Sequence, residues 1–244
     1  MSFGEAARSK SCENQIISSK SGVSFDWLLF FDSRGLGVQY PEQDKTSTLF
    51  LLKSYFDSVN ESYLIISRPL YLTIFPSLVQ FIKLNTHLKF DKLITNMGFV
   101  DTTPKKASVL TDSVHQLNSL GLKGNIREFE AYELSDGSSQ ILSTLQYTQS
   151  TIQNIATSIA GDFTNLFFIN TPIIREDYKL MRKRPPAFYS QLKVANHLID
   201  QICSACGSEI IDTNKLQIKT YDGVHYTMED HQLICDAIIN RIKI

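Results

Sequence analysis

The chain has 244 residues, 43% of them apolar, and a formal net charge of −1, which is enough apolar content for one continuous core and no surplus of positive charge to draw it to phosphate backbones. Nucleic acid is therefore set aside as a partner, and the longest apolar stretches are strand-sized, which argues against a membrane span. Four cysteines, with a polar Ser/Lys-rich N-terminus that lacks a signal-peptide run, point to reduced thiols and a cytoplasmic location.

Residues 1–24 lack periodicity and read as a flexible or peripherally packed tail, leaving residues 25–244 as a single domain. Trp27-Leu28-Leu29-Phe30-Phe31 is a continuous apolar run that ends in Asp32-Ser33-Arg34-Gly35-Leu36-Gly37. That is the pattern of a strand buried on both faces followed by a glycine-rich loop. The helical spacing of Leu49, Leu52, Tyr55 and Phe56 predicts a helix over residues 46–59, and Tyr63-Leu64-Ile65-Ile66 predicts a second strand. Pro69 then opens a helix over residues 70–84 with a kink at Pro76. A third strand over residues 92–97 is closed by Gly98-Phe99-Val100-Asp101-Thr102-Thr103-Pro104.

Residues 105–140 are the least regular part and read as an insertion or lid-like element, with a weak helix over 108–120 and an extended segment over 126–134 ending at Asp136-Gly137. Ile141, Leu142, Leu145, Ile152, Ile155 and Ile159 predict one long amphipathic helix that stops near Gly161. A fourth strand follows over 165–170. The basic run Lys179, Arg182, Lys183, Arg184 before Pro185-Pro186 reads as a solvated loop. A helix over 187–206 turns Leu192, Ala195, Leu198, Ile199 and Ile202 inward and hands over to a fifth strand at 209–212. Thr227 is expected to cap the final helix with Asp230 three residues later, a variant of the capping box. This alternation predicts an α/β fold, a three-layer α/β/α sandwich around a central, mostly parallel five-stranded sheet.

Asp222 and His225, three residues apart in the turn before the final helix, form an acid–imidazole unit. Serine is a weak nucleophile until a base takes its proton, and a histidine serves as that base when an acceptor such as aspartate fixes its ring. Ser33 completes the set. In an open parallel sheet ligands bind beyond the carboxyl ends of the strands, and both segments fall there under this strand assignment.

Over residues 27–242 the chain resembles the SGNH hydrolases, also called GDSL-type esterases and lipases. The block Asp222-Gly223-Val224-His225-Tyr226-Thr227 ahead of the closing helix is similar to that family's last motif, and Phe30-Phe31-Asp32-Ser33-Arg34-Gly35 to its first. The resemblance implies an SGNH/flavodoxin-like fold, with Ser33 as nucleophile, His225 as general base and Asp222 as its orienting acid. It also implies ester hydrolysis or acyl transfer without metal or organic cofactor. Three departures stand out. Phe31 replaces a glycine, Val100 occupies the asparagine position of Gly98-Phe99-Val100-Asp101, and no glycine accompanies Ser67-Arg68-Pro69. Two of these fall on donors of the family's oxyanion hole. Gly98, Val100, Arg34 and Arg68 are therefore the candidate oxyanion or substrate residues, the arginines weighed against solvated loop charges. Asn96 is set aside as a donor because its Cα precedes Val100 by roughly 13 Å of extended chain.

Two classes of function follow. The first is a serine-dependent hydrolase, or an acyltransferase using the same serine, acting on a small-molecule or carbohydrate ester such as an O-acetyl group on a polar carrier. The second is the same fold kept as a binding or assembly module with an eroded oxyanion hole. Cys203 and Cys206 read as structural thiols with no metal site, His197 and His231 as surface or half-buried, and Asp32 as shaping the nucleophile turn through backbone N–H groups.

Overall fold

A computed structural model of the chain describes residues 15–37, 45–67, 73–133, 139–175, 177–181 and 186–243. In chain order its elements are β1 (Gln15–Ser18), β2 (Ser24–Phe31), α1 (Thr48–Val59), β3 (Tyr63–Ser67), α2 (Phe75–Leu84), β4 (Lys89–Thr95), the short α3 (Phe99–Thr102) and α4 (Ala107–Ser119). There follow β5 (Gly124–Glu133), β6 (Ser139–Tyr147), α5 (Gln149–Ala160), β7 (Asn165–Ile169), α6 (Pro186–Cys206), β8 (Glu209–Ile211) and α7 (Met228–Ile242).

The apolar runs become strands because both of their faces are covered. Leu28 and Phe30 of β2, with Leu64 and Ile66 of β3, pack against α2, α5 and α6 through Leu78, Val79, Ile155, Ile159, Ile199 and Ile202. Trp27, Leu29, Phe31, Tyr63 and Ile65 point the other way, onto Leu49, Leu52 and Phe56 of α1 and Ile234 and Ile238 of α7. Period-two alternation thus sorts one apolar strand into two cores, giving three layers. Trp27 anchors the second core, its ring stacked on Phe56 at 4.9 Å between centroids. Each such fully buried side chain contributes roughly 1.5–3 kcal/mol relative to exposure.

The main sheet has the order β1-β3-β2-β4-β7-β8. All its pairings are parallel except that of β1 with β3, so five parallel strands carry one antiparallel edge strand. The five-stranded expectation matches the parallel part. The last part of the N-terminal segment is packed at the periphery, with Gln15↔Ser67 through Ser18↔Leu64 in register on the open edge of β3. An edge strand needs to be apolar on one face only, and Ile16 is 76% exposed while Ile17 packs inward, too brief an alternation to read from sequence. Residues 1–14 lie outside the described residues.

Two further differences have local causes. Ile141, Leu142 and Leu145 belong to β6, not to a helix, because β6 pairs antiparallel with β5. The helix begins only after Thr148, whose side chain accepts a hydrogen bond from Thr151 N at 3.2 Å. Pro76 sits in the first turn of α2, where its missing N–H costs nothing, so it starts the helix instead of kinking it. At α7 the Thr227 hydroxyl donates to the Asp230 carboxylate and makes no bond to the helix backbone, so the expected cap is replaced by a side-chain pair. Residues 105–140, read as an insertion, supply α4 and β5; the expected turn at Asp136-Gly137 lies outside the described residues, as do Arg68, Pro69 and residues 182–185. Among the described residues no helix is long and apolar enough to cross a membrane.

Candidate active site

The chain leaves β2 toward α1 and β3 on one side, and returns through α2 to β4 on the other. This reversal opens a crevice between the carboxyl ends of β2 and β4, the place where open α/β sheets bind ligands. Ser33 opens a 3₁₀ turn, Ser33–Gly35, directly after β2. Asp32 caps that turn as expected, accepting from Arg34 N at 2.8 Å.

The last turn supplies the partner. Asp222 Oδ1 accepts from Val224 N and His225 N, both at 2.9 Å, which folds the four residues into a tight side-chain-closed turn. Gly223 there has φ +90°, and a Cβ on it would lie 2.9 Å from the Phe188 ring, so only glycine fits. The second carboxylate oxygen, Oδ2, is 3.1 Å from His225 Nδ1, and His225 Nε2 is 3.2 Å from Ser33 Oγ. A carboxylate can only accept, so Nδ1 carries the proton and Nε2 presents its lone pair to the serine hydroxyl. Burial pushes the Asp222 carboxyl up, but the hydrogen bonds and charge of His225 and the turn's N–H groups outweigh it and hold the carboxyl well below its usual range. Asp222 is therefore ionised wherever the protein is folded near neutrality. The Tyr221 ring stacks on the imidazole at 5.8 Å and 20° between planes.

The two turns are locked together from beneath. Val224 packs with Phe99, Phe188 and Leu192. Phe99 meets Phe188 edge-on at 6.4 Å and receives the Arg34 guanidinium over its face at 5.3 Å. Arg34 is itself fully buried. It pairs with Asp32 (Nη2–Oδ2 2.9 Å, Nε–Oδ2 3.0 Å), donates from Nη1 to Thr171 Oγ1 at 2.8 Å and from Nη2 to the Asn96 carbonyl. Neither expectation for Arg34, a substrate contact or a solvated charge, matches this placement. The loop folds the guanidinium under Ser33 and commits it to internal acceptors.

Asn96, set aside in the sequence, proves to be at the centre. Its Oδ1 accepts from Asp32 N at 2.8 Å and its Nδ2 donates to Asp32 Oδ1 at 3.0 Å. Thr95 pairs with Phe30 across the β2–β4 ladder, so the next residue on each strand, or the one after, is a neighbour whatever its distance from Val100. Strand register was the signal that could have found it. Gly98 begins α3 with φ +116°, and a Cβ on it would lie 2.5 Å from Ile199 Cγ1. Its glycine is required for α6 to approach. The Val100 side chain packs between two apolar clusters, and its carbonyl accepts from Lys105 Nζ at 2.7 Å. It offers no side-chain donor.

His231 is 2% exposed, deeper than expected, with Nδ1 accepting from Thr48 N at 3.1 Å; burial pushes its pKa down to about 4. Burial pushes the Cys203 thiol up to about 12 and that of Cys206 up as well, so neither is a ready thiolate.

Asp101 forms a second buried knot behind the site. Its Oδ1 accepts from Phe75 N at 2.8 Å and Tyr147 OH at 2.6 Å, tying α2, α3 and β6 together. Burial pushes its carboxyl up to about 6 and the neighbouring Lys105 ammonium down to about 8. A raised folded pKa means stability that is present below about pH 4 and lost as pH climbs through 6, here about 3 kcal/mol. His231 acts oppositely, its depressed pKa giving stability that is present above 6.5 and lost as pH falls toward 4. The difference between Asp101→Asn and wild type isolates the first effect. Denaturant unfolding is expected to show the variant gaining on wild type by about 3 kcal/mol between pH 4 and 7; a constant gap would refute the assignment.

No family model matches the chain, and no curated protein does. Among solved structures, a catalytic mutant of an acetylxylan esterase from Geobacillus stearothermophilus superposes with a TM-score of 0.51 at 12% identity, covering 92% of this chain and 95% of that one. An alpha/beta hydrolase from the metagenome of Lake Arreo, Spain, gives 0.50 at 14%, covering 90% and 94%. The likeness is one of fold. It extends over nearly the whole of both chains, so the α/β sheet with its flanking helices, and not a single motif, is what these hydrolases share with this protein.

Proposed function

We propose that this protein is a serine-dependent carboxylic-ester hydrolase of the SGNH type. The observation that carries the reading is the Ser33–His225–Asp222 chain, at 3.2 Å and 3.1 Å, at the switch point of the sheet. In this reading His225 Nε2 takes the Ser33 proton as Oγ attacks the acyl carbon. The proton passes to the departing alcohol when the tetrahedral adduct collapses to an acyl-serine. Water then attacks with His225 again as base, releasing the acid and restoring Ser33. Asp222 stays ionised and steadies the imidazolium.

The oxyanion hole rests on backbone. Arg34 is committed to internal acceptors, the Asn96 amide is tied to Asp32 at both ends, and Val100 has no donor. The N–H groups of Asp32, Arg34, Gly35 and Leu36 are bonded within the turn and to Asn96, so the N–H of Ser33 is the donor this reading uses. A missing donor costs roughly 10²–10³ in kcat, so turnover is expected to be slow for the class. That same shortage of side-chain donors is what favours the rival, a fold retained as a binding module. Transfer of the acyl group to an acceptor other than water would use the same serine.

Turnover of phenyl acetate decides between hydrolase and module, and a rate equal to the buffer blank removes the hydrolase. Asp222→Asn keeps the size of the side chain but exchanges an acceptor for a donor at Nδ1, so it is expected to lower kcat about 10⁴-fold in a chain that still folds, at some cost in stability because the ionised carboxylate is itself stabilising. A variant within a few-fold of wild type would exclude Asp222 from the chemistry.

A further inference from the structure

We propose that Tyr221 is a positioning residue for the base, its ring holding the His225 imidazole in the plane from which Nε2 reaches Ser33 and stabilising the charge that the imidazole takes up. The inference rests on the esterase reading above and adds a fourth side chain to that site.

The placement follows from backbone pairing. Thr220 and Tyr226 form an antiparallel bridge, Tyr221 N donates to the His225 carbonyl at 3.1 Å, and Thr227 N donates to the Lys219 carbonyl at 3.4 Å. Residues 219–227 are therefore a small hairpin with Asp222-Gly223-Val224 at its tip. Successive side chains on such a ribbon point to opposite faces, and directly opposed ones share a face. Thr220 and Tyr226 point into the core, 1% and 3% exposed. Tyr221 and His225, both half-buried, share the other face, on which Nε2 lies 3.2 Å from Ser33 Oγ. Hairpin register thus dictates the stacking of the two rings. Tyr221 is also held from outside the hairpin. Its carbonyl accepts from Met181 N at 2.9 Å, and the neighbouring Leu180 lies against Gly223 in the cluster of Phe188 and Val224.

The imidazole needs that support. Its two hydrogen bonds, Nδ1 to Asp222 Oδ2 at 3.1 Å and Nε2 to Ser33 Oγ at 3.2 Å, are at the long end of the range, and 19% of the side chain is open to solvent. Both bonds act in the plane of the ring and resist tilting only weakly. The Tyr221 ring, 20° from parallel, blocks that tilt on one side. Its face is also electron-rich, and the 5.8 Å between centroids is within the distance over which an aromatic ring attracts a cation. Imidazole is neutral before it takes the Ser33 proton and cationic afterwards. The attraction is therefore made in the transition state and not in the bound substrate, which places it in kcat.

Tyr221→Leu is expected to lower kcat for phenyl acetate roughly 10–100-fold with KM within about twofold, whereas Tyr221→Phe, which keeps the ring, stays within about twofold of wild type. A phenylalanine variant as slow as the leucine one would put the role on the hydroxyl, and a leucine variant whose loss lies in KM would make Tyr221 a substrate contact; either result overturns the proposal. The hold on the imidazole is read without turnover. In proton NMR at a single pH, the Nδ1–H that His225 donates to Asp222 is expected as a sharp low-field resonance in wild type and Tyr221→Phe, and as a line broadened by solvent exchange in Tyr221→Leu. An equally sharp line in the leucine variant overturns the proposal. If wild type turns over no ester, the esterase reading fails, and the resonance still decides whether Tyr221 fixes the imidazole.

Discussion

Ser33→Ala is expected to abolish labelling by a fluorophosphonate probe and to cut ester turnover roughly 10⁴–10⁶-fold, leaving only what binding and backbone donors supply. The probe reacts with a serine only where a base has taken its proton, so labelling reports on activation without requiring the natural substrate or a complete catalytic cycle. His225→Ala should lose labelling almost as fully, because Nε2 is the base within 3.2 Å of Oγ. The alanine removes one exposed-edge hydroxyl from a turn whose geometry is set by Asp32, Arg34 and Asn96, so folding should be untouched. Labelling of wild type no stronger than of Ser33→Ala would leave the binding-module reading in possession of the site. Labelling that persists in Ser33→Ala would move the nucleophile elsewhere.

What the sequence disclosed and what it hid divide along the distance between the interacting residues. Asp222 and His225 were legible because their geometry is local, three residues in one turn, and Ser33 because an apolar strand running into Asp-Ser-x-Gly marks a loop at a sheet edge. The five parallel strands were legible because burial on both faces leaves continuous runs such as Leu28 to Phe31. Arg34 was misread because a charge beside a nucleophile suggests solvent, and only the assembled sheet shows Thr171 and Asn96 converging beneath it to accept its protons. Asn96 was passed over for the same reason, since its partner is 64 residues away and is reached through strand register. In the hairpin, Ile141, Leu145 and Ile152 mimic one helical stripe although a strand ends and a helix begins between them. Thr148 was the local signal for that break.

Arg34→Met should destabilise the fold by about 3–5 kcal/mol, the usual cost of removing one partner from a buried ion pair, and it should do so from directly beneath Ser33. The mutation leaves Asp32, 2% exposed, with a charge whose remaining donors are Arg34 N and Asn96 Nδ2, and it strands the acceptors Thr171 Oγ1 and the Asn96 carbonyl. Methionine fills much of the volume, so the loss is mainly electrostatic rather than a cavity. A double variant, Asp32→Asn with Arg34→Met, tests this origin. Asparagine keeps an oxygen for the Arg34 and Asn96 donors and removes the unpaired charge, so the double variant should be more stable than Arg34→Met alone, with a coupling energy measurable by denaturant unfolding. Simple addition of the two single effects would mean that Arg34 acts by packing on Phe99 and not by neutralising Asp32. Arg34→Lys separates charge from shape. A lysine restores the charge but not the planar fork that spans the Asp32 carboxylate, Thr171 and the Asn96 carbonyl, so it should recover only part of the stability. If esterase activity then falls further than stability does, the guanidinium is a positioning residue that sets the pitch of the Ser33 turn against His225.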